Sequence, residues 1–149
     1  MSENARLVSG LALGVFRLNG QFLHVAEGLA RPAGITAAWW QVLGAVLREP
    51  LPVSGIAREM GMTRQGVQRI ADLLVERGLA EYRPNPAHRR AKLLQPTAAG
   101  REAIAKINPG HGEFSDRLVA ELGAEEAERC LEAVRLLSAA LDRIGDQDR

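Results

Sequence analysis

The sequence predicts a mainly α-helical fold with one small β-hairpin and a long amphipathic helix at each end. Three observations support this fold class. Apolar residues recur at helical spacing in both terminal segments, two short helical segments flank a glycine turn near the middle, and a hairpin pattern follows them. Aromatic residues make up only 4% of the 149 residues, so the core must be built from aliphatic side chains, which suits helices.

Both terminal segments carry apolar stripes whose members alternate in steps of three and four. The first stripe comprises Val8, Leu11, Val15, Leu18, Phe22, Val25 and Leu29, and the last comprises Cys130, Val134, Leu137, Leu141 and Ile144. Such stripes pack either on their own domain or on a partner chain. Because the centre of the chain offers little surface for two long helices, we predict dimerisation helices over 5–34 and 101–145 of a single domain spanning 1–149. Pro109 and two glycines within 108–112 are expected to break or kink the second region.

Two short helices joined by a glycine-containing turn are predicted near the middle of the chain. The first covers 53–60 and ends at Gly61. Thr63 is a suitable N-cap for the second, which ends at Gly78. Such a pair is a helix-turn-helix.

A β-hairpin is predicted directly after this pair. Strands over 79–83 and 90–95 flank a proline-containing loop, and Thr97 is expected to cap the next helix. The two helices and the hairpin together form a winged helix-turn-helix core over 51–97, in which the hairpin is the wing. Upstream, Thr36 is the expected N-cap of a further helix.

Basic residues are concentrated in the middle third of the chain. The whole protein has a formal net charge of +1, but residues 58–101 carry nine basic and four acidic groups, a net charge of +5. Residues 102–149 carry six basic and eleven acidic groups, a net charge of −5. A local basic patch is typical of a nucleic-acid-binding face, although charge alone is equally compatible with an ordinary solvated surface.

The single cysteine and the interrupted apolar stretch near the N-terminus limit the classes of protein to which the chain can belong. Cys130 has no partner for an internal disulfide, and its place on an apolar stripe predicts a buried, unreactive thiol. Arg17, Asn19 and Gln21 interrupt the first apolar segment, which excludes a signal peptide or a membrane span there. We expect a cytoplasmic, non-enzymatic protein with neither metal nor cofactor, because no catalytic or phosphate-binding motif is present.

The second helix of the pair carries the strongest functional signal. Val67, Ile70, Ala71 and Leu74 form one apolar face, and glutamine and arginine side chains occupy the opposite face. Arginine and glutamine read base edges in the major groove, and an arginine on a wing fits a narrow minor groove. The candidate DNA-binding residues are Thr63, Arg64, Gln65, Gln68 and Arg69 on the helix and His88, Arg89, Arg90 and Lys92 on the wing.

These motifs resemble those of the MarR family of transcription regulators. The resemblance extends over segments 35–43, 56–65, 73–79, 85–92 and 97–100, in the family's order. It implies a homodimer that binds a pseudo-palindromic operator in duplex DNA, usually as a repressor. It also implies that a small ligand releases the dimer from this operator. The family's wing usually has Asp where His88 stands, and that Asp helps to hold the wing arginine.

Two alternatives accompany this interpretation. Trp39 and Trp40 either pack in the core or line a pocket for an unknown small effector together with Phe16, Arg17 and His24. The winged helix serves either to bind DNA or only to contact proteins. A module of the second kind is not expected to keep a glutamine- and arginine-rich face.

Overall fold

The computed structural model describes residues 1–149 and confirms a mainly helical fold with a small antiparallel sheet. Its elements in chain order are α1 (Glu3–Ala30), a 3₁₀ turn (Arg31–Ala33), α2 (Ala37–Ala45), β1 (Leu51–Pro52), α3 (Val53–Met60), α4 (Arg64–Glu76), β2 (Ala80–Arg83), β3 (Leu93–Pro96), α5 (Ala98–Leu122) and α6 (Ala124–Gln147). The chain forms two compact units, Met1–Pro109 and Gly110–Arg149. None of the helices is both long and apolar enough to traverse a bilayer.

The predicted turn between α3 and α4 is confirmed. Gly61 has φ +63°, a left-handed conformation that favours glycine, and the Met62 amide donates to the Ala57 carbonyl at 3.0 Å. Thr63 precedes α4 in an extended conformation, and its Oγ1 accepts from the Gly66 amide at 3.0 Å. The second helix of the pair therefore begins where the sequence predicts.

The sheet has the strand order β1-β3-β2 and contains one strand that the sequence analysis missed. Leu51 pairs with Leu94, so the two residues before α3 form an edge strand. Pro52 is tolerated there because an edge strand leaves one side unpaired. Tyr82 also pairs with Leu94, from the opposite side. β3 begins at Leu93, three residues later than predicted, so Arg90 and Lys92 lie in the connecting loop.

An aliphatic core holds the first unit together. α4 buries Val67, Ile70, Ala71 and Leu74, as its apolar periodicity predicts. These side chains belong to one cluster with residues of α2, α3, the sheet and the first half of α5, and no polar or charged side chain is buried. The opposite face of α4 consequently faces solvent.

The start of α5 is fixed on the turn that follows α4. The Thr97 amide donates to the Leu79 carbonyl at 3.1 Å, and Thr97 Oγ1 donates to the Gly78 carbonyl at 2.6 Å. The same Oγ1 accepts from the Gly100 amide at 3.1 Å, which caps the helix. A Cβ on Gly100 would lie 2.0 Å from the Leu79 oxygen, so only glycine fits this approach.

Of the break or kink predicted at 108–112, the break is wrong, because α5 is continuous through Pro109. A proline removes one backbone donor and displaces the carbonyl four residues earlier, here that of Ala105. Both Ala105 and Pro109 are solvent-exposed, so water can satisfy the freed carbonyl. Ile107, on the inner face of the same turn, is fully buried in the core and supports the helical conformation.

The terminal helices bury almost nothing within the chain. α1 buries only Ala30, and α6 has no buried residue. The large apolar side chains exposed on these two helices are Leu7, Val8, Leu11, Leu13, Val15, Phe16, Leu18, Phe22, Leu131, Val134, Leu136, Leu141 and Ile144. The prediction that Cys130 is buried is wrong for the single chain, because the thiol is exposed.

Candidate nucleic-acid interface

A cleft of about 630 Å³ lies between α4, the wing and the junction of β1 with α3. It is lined by Pro52, Val53, Ser54, Arg64, Gln65, Gln68, Asp72, Tyr82, Arg90, Ala91 and Lys92. The lining thus combines the polar face of α4 with the basic residues that end the wing loop. Three of its side chains are cationic and one is anionic, which makes the cleft attractive to an anion.

The first turn of α4 presents Arg64 and Gln65 to this cleft. Both side chains are exposed and neither makes a hydrogen bond within the chain. The Thr63 side chain accepts a hydrogen bond from the Gly66 amide. The backbone amides of Arg64 and Gln65 have no partner within the helix and point outward at its N-terminus. A helix N-terminus of this kind favours a nearby negative charge.

An Asn85-centred turn shapes the wing loop. Asn85 Oδ1 accepts from the Ala87 amide at 3.0 Å, and the Asn85 carbonyl accepts from the His88 amide at 3.2 Å. Beyond this turn, Arg90 and Lys92 line the cleft, whereas His88 and Arg89 are exposed outside it. The wing arginines thus lie on different parts of the surface.

Three side chains connect α4 to the wing's first strand. Gln68 Nε2 donates to Asp72 Oδ1 at 3.0 Å and to the Tyr82 hydroxyl at 3.0 Å. The Tyr82 hydroxyl donates to the same Asp72 oxygen at 2.5 Å. Burial, followed by the hydrogen bond and negative charge of Asp72, raises the pKa of Tyr82 to about 12. We call Gln68, Asp72 and Tyr82 the amide clamp.

The cations of this region have no carboxylate partner. The ion pair that the chain forms joins Arg129 to Glu126, and both residues belong to α6 and not to the cleft. Lys92 contacts only the Tyr82 ring, with its Nζ 5.8 Å from the ring centroid. Arg64 and Arg90 are therefore available to bind phosphate or base edges without first releasing a carboxylate.

The structure brings together five of the nine predicted DNA-binding residues. Arg64, Gln65, Gln68, Arg90 and Lys92 line the cleft, and Thr63, Arg69, His88 and Arg89 do not. Thr63 is the N-cap, and the other three are exposed.

Sequence reasoning missed two members of the amide clamp and the contribution of residues 52–54. Asp72 follows Gln68 by four residues on one helix face, which was a usable signal. No sequence signal indicated the role of Tyr82, because its hydrogen-bond partners Asp72 and Gln68 lie 10 and 14 residues away along the chain.

None of the five predicted pocket residues lines the cleft. Phe16, Arg17 and His24 are exposed on α1. Trp39 and Trp40 are half-buried and pack against the core, and the Arg77 guanidinium lies 5.5 Å from the centre of the Trp39 ring. An effector pocket at these residues stays a prediction.

Comparisons with known proteins agree with this architecture. A sequence model described as "MarR family" matches residues 33–91, which include α2 and the helix-turn-helix. An uncharacterised protein of Mycobacterium tuberculosis, Rv2011c, is 38% identical over 139 residues, which cover 93% of this chain and 94% of the relative. The chain belongs to the MarR family. It is accordingly a member of a family of non-enzymatic transcription regulators.

Solved structures of MarR-like regulators share the fold. The M. tuberculosis regulator MOSR, solved in complex with DNA, matches with a TM-score of 0.74 at 22% identity, covering 89% of this chain and 96% of MOSR. Bordetella bronchiseptica BpsR, whose DNA binding is regulated by 6-hydroxynicotinic acid, matches with a TM-score of 0.73 at 19% identity. That alignment covers 87% of this chain and 98% of BpsR.

Proposed function

We propose that this MarR-family chain is a sequence-specific regulator of transcription that binds duplex DNA. One observation carries the proposal, namely that the polar face of α4 and the basic end of the wing line a single cleft. A helix of this kind fits the major groove, and its first-turn side chains reach deepest. We expect the wing to lie along the adjacent backbone and Arg89 to enter the minor groove.

We further propose that the DNA-binding form is a homodimer. The exposed apolar side chains of α1 and α6 support this, because monomeric proteins rarely leave such long apolar stripes in water. A two-fold dimer presents α4 twice, which matches a pseudo-palindromic operator with half-sites about one DNA turn apart. We expect release by a small ligand, because 6-hydroxynicotinic acid regulates the DNA binding of BpsR, which shares this fold. We expect repression because the family resemblance implies it.

A charge-matched pair of variants tests DNA binding. Arg64→Ala combined with Arg89→Ala removes one cation from the first turn of α4 and one from the wing. The control, Arg31→Ala combined with Lys106→Ala, removes two exposed cations elsewhere in the chain. Fluorescence anisotropy with duplexes from the chain's own promoter region should show binding by the wild type and control and loss of binding by the first variant. Equal binding by both variants would contradict the proposed interface.

A second pair of variants tests the homodimer. Leu141→Glu places a charge on the apolar stripe of α6, where Leu141 is 60% exposed in the single chain. Ala139→Glu places the same charge about 200° around the helix and serves as the control. Sedimentation velocity should show monomers for Leu141→Glu and dimers for the wild type and control. A wild type that sediments as a monomer at micromolar concentration would refute the dimer.

A further inference from the structure

The cleft divides the exposed arginines of α4 and the wing loop into two groups. Arg64 and Arg90 line it, whereas Arg69 and Arg89 lie outside it. We propose that the cleft receives the sugar-phosphate strand between the two DNA grooves, and that Arg69 reads guanine at one position of each half-site. Arg64, Arg90 and Lys92 then hold phosphates and carry no sequence preference. The proposal rests on the DNA-binding function proposed above and states which residues of that interface determine its sequence specificity.

The position of the cleft determines what it can hold. It lies between α4, which the proposed function places in the major groove, and the wing, whose tip is expected in the adjacent minor groove. In duplex DNA, a major groove and the neighbouring minor groove are separated by one sugar-phosphate strand. A cleft between elements that enter the two grooves must receive that strand. Side chains deep in the cleft therefore face phosphates and sugars, and base edges are left to side chains outside it.

The lining of the cleft suits a phosphate chain. Its three cations are Arg64, Arg90 and Lys92, and its single carboxylate belongs to Asp72. Ser54 brings the first turn of α3 to the same cleft, and no side chain caps that helix. In a helix-turn-helix the first helix crosses the DNA backbone, and serine hydroxyls and helix N-termini commonly donate to phosphates. Both helices and the wing loop thus present donors to one strand.

Arg69 points away from this strand. It follows Arg64 by five positions, which places the two side chains about 140° apart around α4. It follows Gln65 by four positions, which places these two only about 40° apart, on the side of α4 opposite its buried face. That side enters a groove deepest, and Gln65 borders the cleft there while Arg69 lies beyond it. An arginine at this place can fork onto O6 and N7 of guanine.

The amide clamp leaves Arg69 without a carboxylate partner. Asp72 follows Arg69 by three positions, a spacing at which a carboxylate and a guanidinium can pair on a helix. Asp72 Oδ1 instead accepts from the Tyr82 hydroxyl and from Gln68 Nε2, on the side of α4 that faces the wing. The ion pair of the chain lies on α6, so the exposed Arg69 guanidinium forms none. Its donors are consequently free for a base edge.

Two matched variants, Arg69→Met and Arg90→Met, test this division. Each removes one exposed guanidinium and keeps an unbranched side chain, so neither disturbs the core. Fluorescence anisotropy at several salt concentrations measures affinity for the tightest-binding duplex from the chain's own promoter region and for all its single-base-pair variants. At the position that Arg69 reads, the wild type should prefer guanine by about 5- to 150-fold. Arg69→Met should abolish this preference, keep the others and change the slope of log affinity against log salt concentration by much less than about 1.

Arg90→Met should give the opposite pattern. It should weaken binding to every duplex by a similar factor, keep the base preference at each position and reduce the salt slope by about 1. The division is overturned if Arg69→Met weakens all duplexes equally, if the preference that it removes is for an A·T pair, or if Arg90→Met removes a base preference. A wild type that binds all duplexes equally would refute the proposed function and the division together, whereas a selective wild type with any of those variant results would refute the division alone.

Discussion

The contact between Gly100 and the Leu79 carbonyl predicts a large loss of stability from one added methyl group. In Gly100→Ala the new Cβ would lie 2.0 Å from the Leu79 oxygen and 3.1 Å from its carbonyl carbon, both backbone atoms. Neither can rotate away as a side chain would, so the backbone must shift by about 1.5 Å to reach ordinary contact distance.

That shift strains the attachment of α5. The Thr97 amide bonds the same Leu79 oxygen at 3.1 Å, and Thr97 Oγ1 bonds the neighbouring Gly78 carbonyl at 2.6 Å. Overpacking costs about 1–3 kcal/mol, and each weakened hydrogen bond costs about 0.5–1.5 kcal/mol. Alanine's higher helix propensity returns only about 1 kcal/mol. We therefore expect Gly100→Ala to lower the free energy of unfolding by about 2–4 kcal/mol.

Gly112, in the same helix, supplies the matched control. A Cβ there meets nothing within 4 Å, so Gly112→Ala should raise stability by about 0.5–1 kcal/mol. Urea unfolding followed by tryptophan fluorescence, at one fixed protein concentration, measures both changes. If Gly100→Ala is as stable as Gly112→Ala, the close approach of α5 to the Leu79 carbonyl is incorrect.

Three further predictions concern α4 and the wing. Thr63→Ala removes the cap from the Gly66 amide and should cost about 1 kcal/mol in urea unfolding, while Thr63→Ser should cost much less. Tyr82 is the only tyrosine, so absorbance titration should place its ionisation near pH 12 in the folded protein, lower in Asp72→Ala and near pH 10 when unfolded. Because the folded pKa is the higher one, the stability that protonated Tyr82 contributes is complete below pH 10 and is lost as pH rises from 10 to about 12. A native titration near pH 10 would contradict both the burial of Tyr82 and its hydrogen bond to Asp72. Finally, Lys92→Met should reduce the slope of log affinity against log salt concentration by about 1, and an unchanged slope would exclude a phosphate contact by Lys92.

Local patterns predicted the elements that local interactions determine. The apolar face of α4, the left-handed Gly61 and the cap at Thr63 each depend on residues within one or two helical turns, so the sequence indicates them directly. The polar cleft-facing residues of α4 followed from the same periodicity.

Features that depend on distant residues were not predictable in the same way. β1 is only two residues long and exists because Leu51 pairs with Leu94, 43 positions later. The helical state of Pro109 depends on the buried Ile107 beside it, and proline by itself predicts a break. The clamp depends on β2 bringing Tyr82 to α4, which no helical spacing indicates.

The unpaired cations around the cleft carry a cost in the free protein. Arg64, Arg90 and Lys92 surround one concave surface that holds a single carboxylate, Asp72, and none of the three cations forms an ion pair. DNA phosphates relieve the repulsion among these cations, so bound DNA should fill the cleft and also stabilise the folded state. Neutral substitutions at these positions should then make the free protein slightly more stable while weakening its hold on DNA. The cleft is thus a place where this chain trades conformational stability for readiness to bind a polyanion.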